Sequence, residues 1–69
     1  MDAREVAEGL SQVQKHGIMA SHPFAFGAYL LPLGTARGLA PLGVAVRTLD
    51  GMCLTQFGLA VRAHLLEEG

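Results

Sequence analysis

Three histidines and one cysteine are the residues of this chain best equipped for chemistry: His16, His22, Cys53 and His64. Imidazole and thiolate are preferred ligands of zinc, but zinc sites gather them in short paired spacings. No two of these four residues stand in such a pair. His16 falls near the end of a helical stretch, His22 precedes a proline and His64 lies on the last helix, so each has an ordinary structural role. No metal and no cofactor is expected. Cys53, between Met52 and Leu54, reads as a small buried apolar residue. A nucleophilic thiol needs a base or a helix N-terminus beside it; the helix led by Thr55 offers the second, weakly.

Other catalytic patterns are missing as well. The apolar middle holds no paired carboxylates, and the chain has neither a Gly-Lys-Ser/Thr phosphate loop nor a Gly-x-Ser-x-Gly elbow. Gly34, Gly38 and Gly43 permit close backbone approach but no lysine follows them. A pocket of catalytic size is also hard to build from one small core. The chain is therefore not expected to be an enzyme.

What remains is recognition. Phe24, Phe26, Tyr29, Leu30 and Leu31 form the densest apolar and aromatic cluster. Most of such a cluster belongs in a core. Tyr29 is the exception, because its hydroxyl wants a partner and tyrosine is enriched at binding hot spots. With so few charges in the middle of the chain, Arg37 and Arg47 become candidate interface arginines. The partner-binding set predicted from sequence is thus Tyr29, Arg37, Arg47, Phe24 and Phe26.

Composition bounds what these residues can do. At 69 residues there is room for one small domain, and with 51% hydrophobic and 16% charged residues it is not a disordered tail. It carries more apolar residues than one small core can hide, so a homodimer is expected. The lone cysteine suits a reducing interior such as the cytoplasm, and the charged start of the chain does not predict a secretion signal. Net charge is −1, but the acids sit at the ends and at Asp50; between Glu8 and Asp50 the only charges are Lys15, Arg37 and Arg47. Three cations are few for a surface that must neutralise several phosphates, so nucleic acid is disfavoured. The stretch from Phe24 to Val46 is long enough to cross a bilayer and carries Arg37 as its one charge. Pro32, Pro41, several glycines and the missing aromatic and basic flanks argue against a membrane hairpin, which stays the weakest alternative.

The elements that would position these residues follow from periodicity. Asp2 and Glu5 form an acidic variant of the capping box, and Ala3, Val6, Leu10 and Val13 fall on one narrow stripe. This predicts one helix over 2–16, stopped by Gly17. Its stripe either covers the core or zips two protomers along a Val6–Leu10–Val13 seam. Residues 24–31 are apolar throughout, so periodicity does not separate helix from strand; context favours helix. Pro32-Leu33-Gly34 makes a turn, and Thr35 can cap a short helix that Pro41 ends. Leu42 to Leu49 alternates as a strand, Asp50-Gly51 turns it and Met52 to Leu54 returns, giving a hairpin over 42–54. Thr55 caps the closing helix, 55–67, whose Phe57, Val61 and Leu65 share a face. The acids after it predict fraying.

The run Leu49-Asp-Gly-Met-Cys-Leu-Thr-Gln-Phe-Gly-Leu-Ala-Val61 resembles the wing and closing helix of winged-helix transcription factors, and Leu33-Gly34-Thr35 is similar to the turn of a helix-turn-helix. The resemblance implies a mostly α fold with a small β-hairpin: a helix-turn-helix-like segment over 24–41, a two-stranded wing and a C-terminal helix. In that family the helix after the turn reads the major groove with polar and basic residues. Here Thr35 to Ala40 offers only Arg37, and the wing only Arg47. The format is similar to that of small phage-encoded regulators, including anti-quorum-sensing proteins that silence a transcription activator. The reading is a small regulatory protein that binds a larger protein, such as a transcription regulator, and inhibits or modulates it. A DNA-binding winged helix is the first alternative.

Overall fold

The computed structural model describes residues 2–24, 27–32 and 38–68. They form three α-helices, α1 (Ala3–Gly9), α2 (Gln12–Met19) and α3 (Gln56–Glu68), and four strands, β1 (His22–Pro23), β2 (Tyr29–Leu30), β3 (Ala45–Thr48) and β4 (Gly51–Leu54). A one-turn 3-10 helix, Ala40–Leu42, precedes β3. The strands join in one antiparallel sheet of order β1-β2-β4-β3. Helices hold more residues than strands and the expected hairpin is present, but a second hairpin extends it to four strands, so the class is mixed α/β.

The N-terminus corrects the single helix expected over 2–16. Asp2 does cap α1, accepting the Glu5 N–H at 2.9 Å. The helix then ends at Gly9, and Leu10 turns extended with φ −73° and ψ 147°. Glycine is a poor helix former, and a second capping box follows it directly. Ser11 Oγ accepts the Gln14 N–H at 3.2 Å, while Gln14 Oε1 accepts the Ser11 N–H at 2.9 Å. Two orphan donors are satisfied at once, so the chain restarts as α2 in a new direction. Gly17 does not stop α2. It is buried inside it, and the helix closes two residues later, where the Ser21 hydroxyl donates to the Ile18 carbonyl at 2.6 Å.

Residues 24–31 correct the expected helix in the same way. Phe24 N–H donates to the Ala28 carbonyl at 2.7 Å, and Gly27 takes a left-handed φ of 77°. Only glycine enters that region without strain, so the chain turns back into β2. Pro23 has no N–H to give a ladder and accordingly sits on an edge strand. Leu30 pairs with Cys53, and the Leu31 N–H donates to the Met52 carbonyl at 2.8 Å. The expected short helix from Thr35 falls partly outside the described residues. Its described end is no α-helix: Pro41 lies within the 3-10 turn, where a fixed φ is tolerated.

The β3–β4 hairpin forms with its turn one residue earlier than predicted. Thr48 pairs with Gly51, so Leu49 and Asp50 make the turn and Gly51 supplies a positive φ of 127°. The Thr48 hydroxyl fixes this register, donating to the Gly51 carbonyl at 2.9 Å and accepting the Asp50 N–H at 3.3 Å. Thr55 then caps α3, accepting the Gly58 N–H at 2.9 Å. The α3 helix runs to Glu68. Val61 and Leu65 of α3 share one core with Val6, Ala7 and Leu10 of α1 and with Leu31, Ala45 and Leu54 of the sheet region.

Candidate functional site

Two surface features could do work, and they lie on different elements. The first surrounds Tyr29. This residue is half-buried on β2, opposite Pro23, and the Arg62 guanidinium sits over its ring, 4.6 Å from the centroid. A delocalised guanidinium stacks well on an aromatic face, where the ring quadrupole attracts it. Arg62 is half-buried, and its Nε is sealed from solvent with no hydrogen-bond partner. Sequence reasoning missed this arginine, because its contact with β2 is long-range. A faint signal existed: Gly58, Leu59, Leu65 and Leu66, its helical neighbours three and four residues away, include no acid that could pair with it.

Two of the predicted companions of Tyr29, Arg47 and Phe24, lie among the described residues. Arg47 is exposed on β3, and β4 lies between β3 and β2. Phe24 is exposed just after β1. Phe26 and Arg37 lie outside the described residues. The predicted dimer seam is likewise divided. Val6 and Leu10 are only 5% and 7% exposed, in the core beneath α1, whereas Val13 on α2 is 71% exposed. The break at Leu10 causes this split, by ending one stripe and starting another.

Val13 belongs to the second feature. It lines an open groove of about 510 Å³ along α2, together with Gln12, His16, Gly17, Ala20 and Pro32. The small residues Gly17 and Ala20 make the floor accessible, and no carboxylate is among these residues. A smaller hollow of about 180 Å³ lies between α1 and Leu42, lined also by Glu5, Val6, Gly9 and Leu10. The larger groove can receive apolar side chains. Among its described lining residues there is one imidazole and no second titratable group, and so no acid–base pair.

The residues that could do covalent or metal chemistry are dispersed. His16 is on α2, His22 on β1 and His64 on α3, where its Nδ1 lies 3.9 Å from Glu67 Oε2. Among the described residues, no group of three or more histidines, cysteines and acids could hold a metal ion. Cys53 is buried, with its Sγ 3.5 Å from Thr48 Oγ1. No described helix is long and apolar enough to cross a membrane. No family model matches this chain, and no curated protein or solved structure matches it either.

Proposed function

We propose that this chain is a small regulatory binding module that works by stoichiometric protein–protein contact, docking on a larger protein such as a transcription regulator and inhibiting or modulating it. The observation that carries this reading is the α2 groove, where Val13 stands exposed beside Gly17, Ala20 and Pro32. Valine gains nothing from that position in water, and covering it supplies apolar contact area to a complex. Phe24 and Met19 are further large apolar side chains left exposed. Affinity then comes from buried anchors rather than from charge.

The charge distribution supports protein over nucleic acid as the partner. Arg4, Lys15, Arg47 and Arg62 lie on α1, α2, β3 and α3 respectively, so no described helix presents a basic row to a groove of DNA. The described part of the segment between β2 and β3 carries no cation at all. A winged-helix-like frame draws support from the β3–β4 hairpin and the Thr55-capped α3 that follows it. Within this reading the protein is a cytoplasmic homodimer, and exposed Val13 is the seam residue left to a second copy or to the partner.

Site-specific photo-crosslinking tests the function. A benzophenone side chain at position 13 is expected to capture one dominant protein in the native cell, where the same probe at exposed Glu8 does not. An unlabelled chain should compete for this capture, and one that carries Val13→Asp should not. Capture of duplex DNA, in binding that weakens steeply from low to moderate salt, would replace this reading with the DNA-binding one.

A further inference from the structure

We propose that the Tyr29–Arg62 stack is an anchor for a carboxylate, presented by an acidic side chain or a chain terminus of the bound partner. For its biological use this rests on the binding-module reading; the chemistry itself stands on Arg62. Arg62 is half-buried, its Nε is sealed without a hydrogen bond, and no carboxylate of a described side chain pairs with it. The described acids are elsewhere: Asp2, Glu5 and Glu8 around α1, Asp50 in the hairpin turn, and Glu67 beside His64. A guanidinium held in place by a ring, with no counter-charge among the described side chains, is open to one.

Geometry chooses the ligand. Tyr29 occupies one face of the guanidinium, while a carboxylate binds in the guanidinium plane, along its N–H edges. The two contacts use perpendicular directions, so the ring holds the fork in place without blocking it. Since Nε is closed off, the edge left for the ligand is the one formed by the two terminal nitrogens. A single arginine matches the single charge of a carboxylate. A phosphate dianion calls for more: Lys15 and Arg47 are on other elements, and the start of α3 is capped by Thr55.

The test uses the full chain, labelled with nitrogen-15, and follows the side-chain Nε–H signals of Arg62 and Arg47. N-acetylglutamate methylamide supplies a side-chain carboxylate, N-acetylalanine a terminal one, and N-acetylglutamine methylamide a neutral control. Either carboxylate should shift the Arg62 signal saturably and leave Arg47 still, and the one that binds tighter identifies the source. Tyr29→Leu should weaken that titration by roughly threefold, the loss of a cation–π contact, and in Arg62→Lys the carboxylate-dependent shifts of the backbone amides of residues 29 and 62 should be lost while the rest of the backbone spectrum stays folded. The proposal is overturned if Arg62 does not respond, responds no more than Arg47, responds equally to the neutral amide, or binds inorganic phosphate more tightly than either carboxylate. Because no partner protein enters this titration, a failed crosslink at position 13 and a failed shift at Arg62 are separate results.

Discussion

The closing unit, from Val44 through α3, and the surface along α2 are built on opposite terms. In the closing unit one hydroxyl serves three backbone groups. Thr55 Oγ1 accepts the Gly58 N–H, and its own proton is donated to the Gly43 carbonyl at 2.6 Å and shared with that of Val44 at 3.2 Å. The Thr55 N–H also donates to the Val44 carbonyl at 2.9 Å. Along α2 the capping box holds the helix itself, but Val13 projects exposed from its outer face. The contrast separates a part whose backbone is tied together through one threonine from a part that waits for contact. A binding module needs both, because a loose frame would charge the cost of ordering to each encounter.

Gly58 gives the sharpest way to break that comparison. A Cβ there would run into the Val44 carbonyl oxygen, with the Val44 carbonyl carbon at 3.1 Å and Leu54 Cδ2 at 3.2 Å. Backbone atoms held by Thr55 have no slack to yield. Gly58→Ala should therefore destabilise the fold by about 3 kcal/mol, as overpacking does, read from the midpoint of urea unfolding. Gly9, by contrast, has nothing within 4 Å of a Cβ, and Gly9→Ala should be neutral or stabilising by about 0.5 kcal/mol, since alanine is the better helix former. If the two substitutions behave alike, α3 does not lie against β3 this closely and the closing unit is no tighter than the rest.

Thr55→Val is the next step down. It keeps the shape and the N–H of residue 55, but it removes the cap from Gly58 and leaves the Gly43 carbonyl without its donor. A loss of about 1.5 kcal/mol is expected, the usual worth of a lost cap, with Thr55→Ser recovering most of it. Equal stabilities for the valine and serine variants would show that the hydroxyl does not tie α3 to the chain before β3.

The same contrast explains what could be read from the sequence. The hairpin and α3 were legible because their signals are local: alternation over Val44 to Thr48, a glycine at the turn and a threonine before a helix. Even there the turn moved by one residue, since the Thr48 hydroxyl, not glycine alone, sets the register. The break at Leu10 also had a local signal, the Ser11–Gln14 pair. The Ala3–Val6–Leu10–Val13 stripe masked it, because a break after Leu10 leaves the buried part of that stripe intact. Residues 24–31 carried no usable period, and the strand there is decided by pairing of Leu30 with Cys53, distant in sequence. Of the candidate site, Tyr29 was visible by residue type alone. Arg62 was not, as nothing near it in sequence announces a stack on β2.

Val13→Asp should have the smallest effect on the fold and so sharpens the comparison from the other side. Position 13 is 71% exposed and lies one step inside α2, where an acid suits the positive end of the helix dipole. Unfolding free energy should change by less than about 0.5 kcal/mol, as for other surface substitutions. Binding is another matter, because an ionised carboxylate placed among Gly17, Ala20 and Pro32 would have to shed its water to be covered. Capture of the partner, and any self-association through this face, should then fall well below that of the parent chain at unchanged stability. A variant that binds as before would mean that the exposed valine is surplus apolar surface, and the waiting part of the molecule would have to be sought elsewhere.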